Sequence, residues 1–365
     1  MSSKQQLDTI LEQILELARW APSGDNTQPW RFEILDQRRL VLHGHDTRDH
    51  CVYDLDGHPS QMSIGALLEN MAIAASGFKL SMHAVRDAET PDTQPTFSIE
   101  FVPAPRIAAD PLADAIVQRS VQRRALSRRP LTVVEKATLI GALPDGYQVR
   151  WLEGSQRMAA ARLMFGNAKL RLTMPEAHSV HQAVIEWDAR YSEDRIPDQA
   201  LGADAMTTKL MRWVMQDWRR VRFFNTWLAG TLAPRLQMDL IPSLACAAHF
   251  VLVASHGPQR VDDYIAAGRA MQRFWLTATA LGLQLQPEMT PLIFSRYVRE
   301  NRLFSTTPGM QQRAAQLAQQ GAALVGQQDW EAAVFMGRIG AGAPATARSL
   351  RRPLRELLLP VDGES

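Results

Sequence analysis

Residues 17–35 read LARWAPSGDNTQPWRFEIL, and the fold turns on how this stretch is read. A helix-like run ends at Ala21-Pro22, because proline disfavours helical geometry in the residue before it. Ser23, Gly24, Asp25, Asn26, Thr27 and Gln28 then crowd small and polar groups into consecutive positions. Pro29-Trp30 closes the loop, and an alternating strand-like segment follows. Pro22 and Pro29 restrict the backbone, Gly24 permits close approach, and Asn26 and Gln28 bring amide donors and acceptors. A rigid, donor-rich loop at a helix-to-strand junction suits the polar edge of a ligand.

Working outward, Leu7, Ile10, Leu11, Ile14, Leu17 and Ala18 recur at helical spacing and predict a helix with one apolar face. Residues 31–35 and 39–42 read as strands around a turn at Asp36-Gln37. Ile64, Leu67, Leu68, Met71 and Ala75 mark a second helix, with Gly77 placed to end it. Residues 96–102 read as a strand, and VPAPRIAADP as a linker. The pattern then restarts: residues 112–123 read as helical, 131–143 as a helix after Pro130, and 148–152 as a strand. Residues 155–240 look largely helical; 250–254 are a strand, 268–281 a helix and 332–339 a final strand.

Composition limits the class. Of 365 residues, 46% are hydrophobic and 21% charged, the balance of a folded globular chain, and the length allows two units or one large one. The net charge of +2, with arginine scattered, argues against a nucleic-acid partner or a membrane surface. Cys51 and Cys246 cannot build a disulfide framework and fit a reducing compartment. The run MSSKQQLDTILEQ has no apolar signal core, and the most apolar run, residues 244–254, is too short to span a bilayer. These features predict a cytoplasmic protein.

Residues 64–77, IGALLENMAIAASG, find an echo in residues 267–282, AGRAMQRFWLTATALG. Both open near a glycine, are apolar along one side and close into a second glycine. Small residues of this kind let another backbone approach closely.

Together with the loop, these residues resemble the nitroreductase family of FMN-dependent oxidoreductases. APSGDNTQPW is similar to that family's A-P-S-x-x-N-x-Q-P-W signature at seven fixed positions. The family's opening motif, two arginines and a small hydroxyl residue before a P-L pair, resembles AIVQRSVQRRALSRRPLTVVEKATLIGAL in mid-chain. Its last strand and tail resemble VFMGRIGAG and ARSLRRPLREL, so the likeness runs from about residue 7 to residue 359 and is weakest over 155–240. The order differs from the family's, in which the arginine motif precedes the loop and two identical chains form two sites. Here MSSKQQLDTI, ahead of the loop, contains no arginine, and LIGALPDGYQVRW, after the arginine motif, lacks the Ser and Asn. Each part carries what the other lacks. The resemblance therefore implies an α+β, nitroreductase-like fold of two fused halves, residues 1–110 and 111–365, each with a mixed or antiparallel sheet flanked by helices. It implies a pseudo-dimer within one chain, holding one composite flavin site and free to dimerise further.

An FMN site needs cations for the phosphate and directional donors around a flat apolar slot. Arg119 and Arg123 are four apart and on a helix would face one anion; Ser120 lies between them. Two registers of the motif stay open. With Arg119 and Arg123 in the basic positions the hydroxyl position falls on Val121; with Ser120 there, the leading arginine becomes Gln118. Arg351 and Arg352 could complete the clamp from the tail, with Arg348 in reserve, since a guanidinium bonds phosphate oxygens bidentately and keeps its charge. The resemblance sets Pro22, Ser23, Gly24, Asn26 and Gln28 against the flavin ring or ribityl chain, and Pro287, Glu288 and Met289 over its central ring. No side chain need act as nucleophile. The implied activity moves hydride from NAD(P)H to a small, flat, electron-poor acceptor, nitroaromatic- or quinone-like. The rival readings are a flavin-storage protein of the same fold, and an oxidase acting on a flavin or a modified peptide.

Other features have plainer readings. HGHDTRDHCVYDLDGH, residues 43–58, lacks the common spaced ligand pairs of a metal site and reads as a solvated loop edging the pocket. GRIGAGA, residues 337–343, reads as strand and turn rather than a dinucleotide fingerprint. Trp213, Trp218, Phe223, Phe224 and Trp227 read as core or seam, and His178, His181 and His249 as structural. No hydrolase, P-loop or zinc signature is present.

Overall fold

The computed structural model describes residues 9–227 and 230–360; Leu7 lies outside them. The Thr9 hydroxyl accepts from the Glu12 amide while the Glu12 carboxylate accepts from the Thr9 amide, and this reciprocal cap starts α1 (Ile10–Ala18). Beyond the loop come β1 (Trp30–Ile34), β2 (Arg39–Gly44), α2 (His58–Ser76), β3 (Leu80–Arg86) and β4 (Thr96–Pro103). The four strands form an antiparallel sheet in the order β1-β2-β4-β3.

Next come α3 (Ala113–Gln118), α4 (Val133–Gly141), β5 (Tyr147–Leu152), α5 (Ser155–Leu172) and α6 (Pro175–Val184). Three two-residue strands follow, β6 (Ile185–Glu186), β7 (Tyr191–Ser192) and β8 (Ile196–Pro197), then α7 (Ala205–Met215) and α8 (Trp218–Trp227). Short helices α9 (Leu232–Pro234) and α10 (Ile241–Leu244) flank a π-helical turn, Arg235–Leu240. The chain ends through β9 (Ala248–Ala254), α11 (Val261–Ala280), β10 (Leu283–Pro287), α12 (Thr290–Arg299), α13 (Met310–Val325), α14 (Gln327–Glu331), β11 (Ala333–Ala341), β12 (Arg348–Ser349) and α15 (Leu354–Leu357). A second antiparallel sheet has the order β10-β11-β9-β5. The class is α+β.

The two echoing segments pack on each other. A Cβ on Gly65 would lie 2.1 Å from the Ile265 carbonyl oxygen, and one on Gly268 2.0 Å from that of Met62, so only glycine lets the α2 and α11 backbones touch. α2 is buried nearly all round, as befits a helix at the centre of a core. Its few polar groups are matched across the seam. Gln272 donates to the Asn70 side chain at 2.7 Å, and Glu69 pairs with Arg269 at 2.9 Å and Arg273 at 2.7 Å. One apolar cluster, including Leu11, Phe32, Leu67, Phe250, Phe274 and Leu357, joins both sheets through this seam. The tail returns to β1, where the Leu359 amide donates to the Phe32 carbonyl at 2.8 Å.

Several expectations need correcting. The helix expected over residues 112–123 stops at Gln118, because Val121 bridges Leu285 and the Gln122 amide donates to the Leu285 carbonyl at 3.1 Å. An edge strand competes there with helical pairing and wins. The helix expected from Ile64 begins at His58, after Gly57 turns the chain at φ 76°. The loop over 43–58 is not solvated: Cys51, Val52, Asp54 and Asp56 are buried, and Asp54 accepts from Thr47 and Ser60. Trp213, Phe223 and Trp227, read as core or seam, are exposed.

Candidate active-site cavity

The loop that follows α1 is held open by its own conformation. Asp25, Asn26 and Gln28 have φ of 49°, 63° and 50°, a left-handed geometry that side chains tolerate only when the surroundings enforce it. The enforcement is visible. Asn26 donates to the carbonyls of Glu193, Arg195 and Leu350 at 3.2–3.3 Å. Gln28 donates to the carbonyls of Asn26 at 3.1 Å and Glu193 at 2.9 Å, and accepts from the Arg352 amide at 2.9 Å. The loop is therefore stitched to residues 193–195 and to the tail.

This wiring corrects one expectation. Gln28 is fully buried and stands behind the cavity rather than on its wall, because its amide is committed to backbone groups. Asn26 does border the cavity, with Pro22, Ser23 and Gly24, and its Oδ1 has no partner among the described residues. A Cβ on Gly24 would meet nothing within 4 Å, which leaves room for a ligand beside the loop.

The cavity holds about 420 Å³, within the range of small-molecule sites. Arg119, Arg348 and Arg351 stand on its wall. Arg119 donates to the Trp20 carbonyl at 3.1 Å and stacks on Trp275 at 4.5 Å; Arg351 donates to the Ala21 carbonyl at 2.9 Å. Arg348 donates to the Arg119 carbonyl at 3.1 Å. The Nε–H groups of Arg119 and Arg348 are buried without a partner among the described residues. Burial, then repulsion from Arg351 and Arg348, pushes the Arg119 guanidinium well below its ordinary pKa. Burial, then Arg348 and Arg19, lowers Arg351 to about 9. Such a set is short of one anion.

Arg123 also lines the cavity, but apart from this cluster. Since the chain beyond Gln118 is extended, four residues span roughly 13 Å instead of one helical turn, and Arg119 and Arg123 do not converge as a helix would have made them. Arg123 donates to the Ala200 carbonyl at 3.3 Å and is lowered to about 10 by burial, with Asp25 holding it up. Ser120 borders the cavity between them. Arg352 does not; it pairs with Asp194 at 3.1 Å.

Pro287, Glu288 and Met289 line the opposite side, where α12 begins. The Glu288 amide is already given to the Met336 carbonyl at 2.8 Å. Its carboxylate is turned to His249 at 2.6 Å and Arg338 at 3.7 Å, and raises His249 against the downward pull of burial. His249 is structural in that sense.

A polar wall that the sequence reading missed completes the cavity. The Tyr53 hydroxyl meets His181 Nε2 at 2.9 Å, and Arg171 pairs with Asp239 at 2.9 Å. Burial, then Arg171 and His178, lowers His181 to about 3, so the ring is neutral near pH 7. Asp25 faces Arg123 and Arg171, yet burial raises its carboxyl above the ordinary range. Asp25 sits in the quoted loop and Tyr53 in the 43–58 run, but Arg171, His181 and Asp239 fall where no motif pointed. Among the described residues no group of three metal-ligating side chains could hold an ion.

Residues 7–56, which contain α1, the loop and the first hairpin, match the model of the nitroreductase family. That stretch of the chain is similar to the nitroreductase family. An uncharacterized protein of Mycobacterium tuberculosis (strain CDC 1551 / Oshkosh) is 22% identical over 294 residues, 78% of this chain and 39% of the relative. The chain thus spans about two fifths of that relative's length. A nitroreductase-like family protein from Bacillus cereus, known from a crystal structure, superposes with a TM-score of 0.34 at 13% identity, over 70% of this chain and 97% of that one. The likeness to the family rests on the sequence match over residues 7–56. In a nitroreductase context the loop is the matched part, and the arginines lie beyond it.

Proposed function

We propose that the chain is an FMN-dependent oxidoreductase that passes hydride from NAD(P)H to a small, electron-poor acceptor of the nitroaromatic or quinone type. The observation that carries this is the arginine wall: Arg119, Arg348 and Arg351 crowd one side of the cavity, and two of their buried Nε–H groups lack an acceptor among the described residues. An unpaired buried donor costs about 1–3 kcal/mol, and mutual repulsion adds to it. A bound phosphate removes both penalties, so the residues present fit FMN. Arg119, Arg348 and Arg351 would hold the phosphate, while Pro22, Ser23, Gly24, Asn26 and the stretch Pro287 to Met289 would border the ring. When bound, the flavin supplies hydride acceptance and donation, which no side chain here provides.

The chain's own residues do the rest. Trp275 and the methionines Met62, Met271 and Met289 give the cavity apolar surface and exclude water. Tyr53, neutral because burial raises its pKa, offers a hydroxyl to an acceptor oxygen, and Arg123 and Arg171 favour an acceptor that gains negative charge. We also infer the fused-pair organisation, residues 1–110 and 111–365, since the loop comes from one part and the arginines from the other.

The test is direct. The purified protein is expected to be yellow, to release FMN on denaturation, to bleach anaerobically with NADH or NADPH, and to be reoxidised by a quinone or nitroaromatic. Bound flavin inert to both nicotinamides would favour the storage reading; absence of any flavin affinity would end both.

A further inference from the structure

We propose that the hairpin of α7 and α8 docks the protein on an anionic lipid surface. α7 has no buried residue, and its Met206, Leu210 and Trp213, at i, i+4 and i+7, are 81%, 48% and 48% exposed. Phe223 and Trp227, one turn apart on α8, are 54% and 74% exposed. These side chains ride on a packed unit. Trp213 meets Phe224 edge-on at 5.9 Å, and Arg220 lies 4.6 Å over the Trp213 ring while donating to the Trp213 carbonyl at 3.0 Å. Scattered exposed apolar residues need no explanation, but five on one hairpin, two of them tryptophans, mark an interaction surface.

The charge around them identifies the partner. Residues 204–227 carry Lys209, Arg212, Arg219, Arg220 and Arg222 against Asp204 and Asp217, an excess of three positive charges. Lys209, Arg219 and Arg222 are exposed and make no ion pair among the described residues. A second copy seated on this face about a two-fold axis would set the excess against itself. Tryptophan and phenylalanine with arginine and lysine beside them suit the headgroup layer of an anionic bilayer, where the rings sit at the interface and the cations meet lipid phosphates. The whole-chain charge of +2 conceals this local excess, so the composition-level argument against a membrane surface does not reach the hairpin. Among the described residues no helix is long and apolar enough to cross a membrane, so the contact is peripheral. α7 also turns Met211 and Met215 to the cavity, which makes the docking helix one wall of the site.

Co-sedimentation of the full chain with vesicles tests this independently of flavin or turnover. Binding is expected to phosphatidylglycerol vesicles, with a blue shift of tryptophan emission, and to weaken with phosphatidylcholine or rising salt. Arg219→Gln/Arg222→Gln is expected to bind roughly thirtyfold more weakly, from the usual contribution of a juxtamembrane cation. Leu210→Glu/Trp227→Glu is expected to abolish binding with an unchanged thermal melt, since both side chains are largely exposed. Failure of the wild type to bind phosphatidylglycerol overturns the proposal, as does binding undiminished in both double variants. A concentration-dependent dimer that Leu210→Glu/Trp227→Glu dissolves would assign the face to a second copy instead.

Discussion

The guanidinium groups of Arg119, Arg348 and Arg351 make no ion pair among the described residues, yet they share one wall of a cavity. An empty cluster of this kind stores repulsion, and a residue kept for a ligand should lower the stability of the unloaded fold. Arg119→Met keeps most of the side-chain volume against Trp275 and removes one of the crowded charges. It is expected to lose about 1.5–3 kcal/mol of FMN affinity, the range for a charged hydrogen bond, while the flavin-free protein melts no lower than wild type. Calorimetric titration and thermal melts of flavin-free protein measure the two separately. A lower melt with unchanged affinity would make Arg119 a structural residue. At this scale the sequence was half legible. Arg119, Arg348 and Arg351, singled out because charge is visible in a string, do share the cavity wall. Gln28 and Arg352 were misplaced, because whether an amide or guanidinium faces a ligand or a carbonyl depends on residues 193–195, far away in sequence. Tyr53, Arg171, His181 and Asp239 converge only in three dimensions and carried no spacing signal.

The elements were easier to read than their ends. Hydrophobic period found α1, α2, α4, α11 and most strands of both sheets, because each buries one face or is buried throughout. β3 was missed: Leu80, Met82 and Ala84 alternate with Ser81 and His83, but the run is short and the exposed Val85 breaks the pattern. The helix through Arg123 was overextended because pairing with Leu285 is a non-local competitor. The glycine echo was legible as a close approach, though not as an approach of the two segments to each other. That contact sets a prediction. Gly65→Ala or Gly268→Ala would drive a Cβ into a backbone carbonyl at 2.1 or 2.0 Å, and neither backbone can yield as a flexible side chain would. Each is expected to destabilise the fold by about 3 kcal/mol in urea unfolding, at the upper end of overpacking penalties. Gly141→Ala, on α4 with nothing near its Cβ, is expected to stabilise by about 0.5–1 kcal/mol. Equal tolerance at all three positions would mean that α2 and α11 do not touch as described.

On the scale of the whole molecule, the cavity draws its walls from both ends of the chain: residues 22–26, residues 119–123, the start of α12 and residues 348–351. Three of these lie beyond residue 110, and the first lies before it. If the loop serves a flavin whose phosphate clamp comes from the other part, the chain should bind one FMN rather than two. The symmetry-related position would combine the segment before residue 17 with residues 141–152. The second of these contains no Ser or Asn, and its one cation, Arg150, is tied to Asp329. Lys4 is the other cation available there, and it lies outside the described residues. A doubly charged phosphate left without donors there would suffer a desolvation penalty that ring stacking cannot offset. Fluorescence titration of flavin-free protein is therefore expected to saturate at one FMN per chain. The same endpoint is expected at dilutions where light scattering shows a monomer, since no residue of the cavity has to come from a second copy. Saturation at two FMN per chain, or flavin binding that appears only with dimerisation, would sink the fused-pair reading.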